Sequence, residues 1–402
     1  MESSSEEIWD PFLEDIITNE TVAGSNSIYP IMEPSPEEIK DPFSEDLTNE
    51  IVARLPVKSF LRCRSSCRAM RDLPHNPAFV HKHLQFSSQR NPNLILTDTI
   101  CRDKGNIRNS LYFVQNEEAQ DRYSCHKFNL EIAEFQEFRV MGSCNGLICL
   151  VHPTNRYAIC ICNPCTGEHI KIPRPVSMED IPGNIVVGFG VIPMTNKYKV
   201  LAIIDFREPS DFILLRQTVF VYTLGDTSWR FRDNTSVLGL GQSACKAFVN
   251  GALHWVSYSR QIVSFNMDTE ELDVIPRPQL ELGSGSFSLR AFQGKLLILN
   301  TSFPDRIEIW IMNDYRVVES WTRIFTINEQ QIGRKIRDVE IVCFLEDWEA
   351  LMVYDHRALL RYNLRTASVS ELSGIDGLPN RFDAVAHVGT LVSPLLGREE
   401  EM

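Results

Sequence analysis

Several features that define common protein classes are missing from this 402-residue chain. It has no apolar run as long as a membrane span, and its N-terminus lacks the basic and apolar regions of a secretory signal. Its 40 Lys and Arg are outnumbered by 53 Asp and Glu, and the net charge of −13 argues against binding to nucleic acid. We therefore expect no membrane or nucleic-acid partner and a location in the cytoplasm, the nucleus or both.

Signs of catalysis and of metal binding are also scarce. The eleven cysteines are irregularly spaced, which favours a reducing compartment over a disulfide framework. Cys162 and Cys165 have Cys-x-x-Cys spacing, but no second such pair follows. We interpret them, with Cys160, as small buried strand residues rather than zinc ligands. No phosphate-binding glycine loop and no nucleophile–base motif is present. We expect no metal, no cofactor and no catalytic residue.

What the chain does contain is a dense helical stretch over residues 41–85. Its first segment places four apolar residues on one helical face: Leu47, Ile51, Val52 and Leu55. Pro56 predicts the end of this helix and the start of a second one, and Asn76-Pro77 predicts the cap and first turn of another. Helices this short cannot bury all their apolar surface alone, so something else must cover the excess.

From about Asn93 the pattern changes to short apolar strands separated by turns rich in Gly, Asn, Asp and Pro. The clearest predicted strands are Gly146–Val151, Tyr157–Cys162, Tyr198–Ile204, Val219–Leu224, Ala252–Ser257, Ile307–Met312 and Ala350–Tyr354. No amphipathic helix of comparable strength lies between them. This part of the chain is therefore predicted to be all-β.

An internal repeat organises the β-rich part. Four segments share a strand that ends in Asn and an apolar residue nine positions later: Phe128-Asn129, Cys162-Asn163, Phe265-Asn266 and Tyr362-Asn363. Two related strands, VFVYTL before Trp229 and IEIWIM before Trp321, lie between them. Six units of about fifty residues predict a six-bladed β-propeller, closed by a strand from Ala384 to Val392. A β-sandwich or a pair of barrels is the alternative.

The helical stretch resembles an F-box. The resemblance rests on Leu55-Pro56-Val57-Lys58-Ser59, with Cys67, Arg71, Pro77, Phe79 and Val80 downstream. It implies binding to a Skp-type adaptor and, through it, to the cullin and RING subunits of a ubiquitin ligase. The adaptor contacts that it implies are Phe43, Leu47, Ile51, Leu55, Pro56, Val57, Leu61 and Met70. The alternative is a helical hairpin that packs only on its own chain.

Two departures from the family pattern bear on adaptor affinity. Phe43-Ser44 stand where the family usually has Leu-Pro, and Met70 stands where it usually has Trp. Replacing Trp by Met loses about 1 kcal/mol of apolar contact. Both departures together correspond to about ten-fold weaker binding. We expect adaptor binding that is retained but weaker than is typical of the family.

Residues 93–393 resemble the plant F-box-associated domain, which is kelch-like. The resemblance rests on Gly142–Leu147, Asn163–Gly167, Gly188–Gly190, Tyr198–Val200, Asn250–Trp255 and Glu319–Trp321. It implies a non-catalytic substrate receptor of a Skp–cullin–F-box ligase that recruits a protein for ubiquitylation and degradation. A non-degradative scaffold, a glycan-binding receptor and a propeller enzyme are the alternatives.

Three further segments carry expectations of their own. Residues 1–36 are predicted to be a disordered acidic tail in which residues 6–23 partly duplicate 37–53; a decoy for the adaptor is the alternative. Residues 394–402 form a second acidic tail. Within Phe206–Arg216, the longest departure inside a unit, the sequence predicts a substrate-binding loop or, alternatively, an ordinary strand. The candidate substrate contacts are Arg207, Phe212, Leu214 and Arg216.

Overall fold

The structure is a computed structural model. It describes residues 45–64, 68–98, 110–117, 122–128, 132, 135, 137–153, 155, 157–174, 183–207, 214–234, 245, 247–281, 287–345 and 348–395. The predicted tail over residues 1–36 and its duplicated segment lie outside this set, as do residues 396–402.

The N-terminal helices form a small unit, here called the head. They are α1 (Glu45–Ala53), α2 (Val57–Cys63), α3 (Arg68–Asp72) and α4 (Pro77–Ser88), and a short α5 (Glu329–Ile332) lies in the β-rich part. Pro56 precedes α2 with extended backbone angles, as its missing N–H and fixed φ require. Asn76 caps α4, and its side-chain oxygen accepts the N–H groups of Ala78 and Phe79 at 3.0 and 3.3 Å. Both predicted helix boundaries are confirmed.

The β-rich part consists of six four-stranded antiparallel sheets. The strands are β1 (Asn93–Asp98), β2 (Leu111–Glu117), β3 (Arg122–Phe128), β4 (Arg139–Cys144), β5 (Leu147–Val151), β6 (Ile159–Cys162), β7 (His169–Ile172), β8 (Gly183–Val191), β9 (Tyr198–Arg207), β10 (Leu214–Thr223), β11 (Arg230–Asn234), β12 (Ala247–Val249), β13 (Ala252–Val256), β14 (Ile262–Asn266), β15 (Leu272–Ile275), β16 (Phe287–Phe292), β17 (Lys295–Asn300), β18 (Arg306–Met312), β19 (Trp321–Asn328), β20 (Val339–Phe344), β21 (Glu349–Tyr354), β22 (Ala358–Asn363), β23 (Ser368–Glu371) and β24 (Phe382–His387).

Each sheet is one blade of a six-bladed propeller. Blades two to six are built from β4–β7, β8–β11, β12–β15, β16–β19 and β20–β23, while blade one has the order β24-β1-β2-β3. The inner strands of neighbouring blades contact one another around the ring, including β24 with β4 and β20 with β24. The predicted propeller is therefore confirmed, and the closing strand is Phe382–His387 rather than a strand reaching Val392.

Three of the repeated asparagines mark the end of the third strand of a blade: Asn266 and Asn363 are its last residues, and Asn163 follows it directly. The side-chain oxygens of Asn163, Asn266 and Asn363 each accept the backbone N–H two residues ahead, at 2.8, 2.8 and 3.0 Å. The side chain thereby shapes the turn that leads into the outermost strand. Phe128-Asn129 was wrongly grouped with these three segments. Phe128 ends β3, which is the outermost strand of blade one rather than the strand next to it. Asn129 lies outside the described residues.

Two tryptophans hold adjacent blades together. Trp229 of blade three donates its indole N–H to the carbonyl of Pro173, which follows blade two, at 2.6 Å. Trp321 of blade five makes the same bond to Pro276, which follows blade four, at 3.0 Å. The two related segments detected in the sequence therefore carry equivalent contacts between blades.

The segment after β24 locks onto blade two. Asn163 donates its side-chain amide to the carbonyls of Thr390 and Val392 at 3.0 and 2.8 Å. The Thr390 hydroxyl donates to the carbonyl of Asn145 at 2.9 Å. Gly146 has a φ of +86°, and a Cβ there would lie 1.9 Å from the Thr390 hydroxyl oxygen. Only glycine permits this approach, which joins the C-terminal segment to the second blade.

Candidate functional site

The core of the head is aromatic. Phe60 is fully buried, and its ring centroid lies 5.4 Å from that of Phe79 and 6.0 Å from that of His83. The Nε2 of His83 donates to the carbonyl of Leu55 at 3.1 Å, because a carbonyl can only accept. Burial lowers the pKa of His83 to about 4, so the ring is neutral near pH 7. A neutral histidine thus holds the turn between α1 and α2.

One face of α1 is open to solvent. Val52 and Ala53 are buried, whereas Ile51 is 50% exposed. Charged neighbours border this side of the head: Glu50 forms ion pairs with Lys82 and with Arg54, the latter at 2.8 Å. Ile51 is therefore an apolar side chain that α1 exposes to solvent.

The predicted adaptor contacts occupy three kinds of position. Ile51 is exposed. Four others are half-buried: Leu55, Pro56, Leu61 and Met70. Phe43 and the side chain of Leu47 lie outside the described residues. Val57 is buried, and a Cβ on Gly389 would lie 2.8 Å from one of its methyl carbons, so this side chain faces the propeller.

Val57 belongs to a joint between the head and the propeller. The same added Cβ on Gly389 would lie 3.4 Å from the Cys165 sulfur and 3.6 Å from the Phe113 ring, which places the joint over blades one and two. Beside it, the Nζ of Lys58 lies 2.6 Å from the Nε2 of His126 on β3. Sequence reasoning missed this joint. Val57 and Lys58 stood within the F-box motif, but nothing in the sequence pointed to Gly389 or His126.

The position of the joint shows which of the two faces of the propeller carries the head. We call the face where the inner strands begin the start face and the face where they end the end face. Gly389 follows the end of β24, and Cys165 lies in the turn between β6 and β7, so the head sits on the end face. The end of β9 at Arg207 and the start of β10 at Leu214 pair with each other, and both lie on the start face.

Three of the four predicted substrate contacts lie in the two strands that flank residues 208–213. Arg207 and Leu214 pair across β9 and β10, and Arg216 also lies in β10. Phe212 and the side chains of the other three lie outside the described residues. Part of Phe206–Arg216 is thus blade strand, and residues 208–213 join the two strands.

The cysteine cluster lies within the core of blade two. Cys160, Cys162 and Cys165 are buried, and burial raises the pKa of Cys160 and Cys165 to about 12. Such thiols are protonated near neutral pH, whereas a metal ligand must be a thiolate. Within the described residues, no group of three or more His, Cys, Asp or Glu is arranged to hold a metal ion. No helix in that part of the chain is long and apolar enough to cross a membrane.

Comparisons with known proteins agree with both parts of the fold. The F-box domain family matches residues 43–82, and the F-box associated beta propeller domain family matches residues 99–371. An F-box protein of Arabidopsis thaliana is 31% identical over 385 residues, which cover 85% of this chain and 89% of that protein. The F-box protein CPR1 of the same plant is 25% identical, with coverage of 86% and 87%.

Solved structures offer a weaker likeness. The alignment with the crystal structure of Citrobacter koseri AztD covers 74% of this chain and 98% of the AztD chain, with 12% sequence identity. Its TM-score of 0.39 is too low to support an argument. The family matches and the plant relatives carry the assignment. This chain belongs to the plant F-box proteins that carry an F-box-associated β-propeller domain.

Proposed function

We propose that this chain is the substrate-recognition subunit of a Skp–cullin–F-box ubiquitin ligase. The head binds a Skp-type adaptor, which links it to cullin and RING subunits, and the propeller holds a protein that is then ubiquitylated and degraded. The chain itself makes and breaks no bond. Its contribution is to hold a substrate lysine near the ubiquitin-conjugating enzyme, which raises the effective concentration of the reacting groups.

The observation that carries this proposal is the exposed position of Ile51 within the segment that matches the F-box family. Exposed apolar side chains at a helix surface are typical anchors when a partner covers them. Residues 41–85 also hold seven Lys and Arg against five Asp and Glu. A basic head suits an acidic adaptor, and such charge complementarity mainly raises the association rate.

The proposed adaptor surface combines Ile51 with the half-buried Leu55, Pro56, Leu61 and Met70, and with Phe43 and Leu47 by family resemblance. Val57 is left out because the propeller already covers it. Met70 packs against the head core, and a tryptophan there would extend the apolar contact. Met70→Trp is therefore expected to tighten adaptor binding.

Adaptor binding is tested with Ile51→Asp in the full chain and a purified Skp-type adaptor. A charge at a buried contact should weaken the affinity at least about ten-fold in calorimetry. Val317→Asp is the matched control, since Val317 is 43% exposed but lies on the propeller. An unmodified chain that binds no adaptor, or two variants with equal affinity, would contradict the proposal.

We propose that the substrate binds the start face, through the connection between β9 and β10. The head occupies the end face, which supports this choice because the start face stays open when the adaptor is bound. Loops on a rigid frame are the usual carriers of recognition. Arg207, Phe212, Leu214 and Arg216 are the proposed contacts.

Substrate capture is tested by proximity labelling in plant cells with the proteasome inhibited, comparing the unmodified chain with Ile51→Asp and Leu214→Asp. Proteins that are substrates should be labelled by the unmodified chain and by Ile51→Asp, and in cells with an active proteasome they should accumulate when adaptor binding is lost. Leu214→Asp should lose the same proteins while its melting temperature stays unchanged. A labelled set that Leu214→Asp leaves intact would exclude this loop, and labelled proteins that never accumulate would favour a scaffold.

A further inference from the structure

A cavity of about 300 Å³ lies between blades four, five and six. Phe287 and Val339 line it and begin β16 and β20, so the cavity lies towards the start face, away from the head. Its walls are largely apolar: Val256, Leu289, Leu299, Ile307, Val339 and Ile341. Its size falls at the lower end of the range of ligand-binding pockets.

Arg290 is the cationic side chain in this apolar setting, and it is almost completely buried. Its Nε and Nη1 donate to the carbonyls of Ile341 and Leu289, both at 2.8 Å, and its Nη2 donates to Glu340 at 3.2 Å. A guanidinium has five N–H groups. Two of them therefore have no acceptor within the part of the chain that the structure describes. A buried donor without an acceptor is costly, so an incoming acceptor gains by satisfying it.

The charges in the cavity already balance. The guanidinium of Arg290 faces the carboxylate of Glu340. His254, another polar side chain at the wall, lies 2.8 Å from the Tyr315 hydroxyl through its Nε2, and burial lowers its pKa to about 4, so it is neutral near pH 7. A charged ligand would bring an uncompensated charge into an apolar site. A neutral acceptor would not.

We infer that this cavity binds a small apolar group that carries a neutral carbonyl oxygen, with Arg290 as the donor to that oxygen. Two sources share this chemistry: a free small molecule, and an apolar side chain of a bound peptide with its adjacent backbone carbonyl. The site is lined by residues of blades four, five and six and involves no residue of the head. It goes beyond the proposed function and does not depend on adaptor binding.

Three probes of matched shape test the chemistry of the site on the full chain by calorimetry or ligand-detected NMR. The probes are 3-phenylpropanamide, the anionic 3-phenylpropanoate and propylbenzene, which has no acceptor. The amide is expected to bind at least about ten-fold more tightly than either of the others. Equal binding of propylbenzene, tighter binding of the anion, or no binding of any probe would overturn the inference.

A blocked peptide, acetyl-Ala-Phe-Ala-amide, distinguishes the two sources. If it displaces the amide probe and binds more tightly, the natural occupant is a peptide. If the amide binds and the peptide does not compete, the occupant is a free small molecule. Either result supports the site, provided that the variants described next weaken or block binding of the amide probe.

Two variants locate the binding. Thr301→Trp changes an exposed residue at the rim of the cavity and should block access without disturbing the core. Val318→Trp is its control, at an exposed position away from the cavity. Arg290→Met should weaken the amide about ten-fold and leave propylbenzene unchanged. Amide binding that survives Thr301→Trp refutes the site even if Arg290→Met fails to fold. Adaptor binding should be unchanged in Thr301→Trp and in Arg290→Met, so this test is independent of the test of adaptor binding by the head.

Discussion

The head leaves Ile51 half exposed, whereas all five residues of β5 in the propeller are buried. Both parts are built from short elements that cannot cover their own apolar surface. In the propeller each blade is covered by two neighbours, and the ring closes on itself. In the head, α1 buries Val52 and Ala53 and exposes Ile51. The chain thus completes the core of the propeller internally, and we propose that a partner completes the apolar surface of the head.

The two parts also differ in how they are held together. The head depends on a few large side chains, with Phe60 at the centre. The propeller depends on repeated contacts between blades, such as those of Trp229 and Trp321. A single change should therefore damage the head more than the propeller, unless it strikes the place where the ring closes.

The largest effect is expected from removing the closing strand. A chain that ends at residue 381 loses β24, with the fully buried Phe382, and exposes the pairing edge of β1. The free energy lost should exceed the whole stability of a typical domain, about 5–15 kcal/mol. Calorimetry should show no cooperative transition for the propeller. A chain that ends at residue 395 is the control, and equal melting of the two chains would contradict the role of β24.

The next largest effect is expected in the head. Phe60→Ala leaves a cavity between α2 and α4 and should cost about 3–5 kcal/mol. Hydrogen exchange should rise in α1–α4 while most propeller amides stay protected, and adaptor affinity should fall. Phe231→Ala is the matched control, because Phe231 is 67% exposed on β11 and its loss should change stability little. Uniform exchange over the whole chain would instead show one cooperative unit.

A third effect comes from buried histidines, one in the head and two in the propeller. Burial lowers the pKa of His83 and His254 to about 4 and that of His387 to about 3, against 6.5 in the unfolded chain. Below about pH 6.5 the unfolded state takes up protons that the folded state does not. Stability is therefore complete above that pH and declines as the pH falls towards 4, by about 2 kcal/mol per histidine at pH 5.

Urea unfolding at about pH 7.5 and 5 measures this decline. His83→Gln should remove one histidine's share of it, and the pH dependence should fall by about 2 kcal/mol. His81→Gln, at an exposed position of the same helix, is the control. If the two variants have the same pH dependence, burial of His83 does not contribute.

The smallest effect compares two blades. Trp321→Phe removes the indole donor to Pro276 and should cost about 1 kcal/mol. Trp229→Phe removes the equivalent bond to Pro173 and should cost less, because Trp229 is only half-buried and water can replace the donor. Thermal unfolding of both variants measures the difference. If Trp229→Phe lost more stability than Trp321→Phe, the shorter hydrogen bond of Trp229 would matter more than its exposure to water.

The sequence predicted those features whose cause is local. The cap at Asn76 and the break at Pro56 follow from the chemistry of single residues. The turns at Asn163, Asn266 and Asn363 recur because each side chain bonds its own backbone. A six-bladed ring then follows from the number of repeats.

Features that join distant parts of the chain were not predictable in this way. Nothing near Val57 indicates that Gly389 would cover it, and nothing near Arg290 indicates a bond to Ile341. The grouping of Phe128-Asn129 with the other repeats was wrong for a related reason. Blade one takes its inner strand from the C-terminus, which shifts the position of every other strand in that blade.

The pairing of β24 with β1 has a consequence for synthesis on the ribosome. The head and five complete blades emerge before Phe382–His387 do, so the first blade waits without its inner strand until all the other blades have been made. Gly389, which meets Val57 of the head, emerges later still. Seating of the head thus requires that the nascent polypeptide has been made past Gly389, and a product terminated before Phe382 would have both its first blade and its head unsupported.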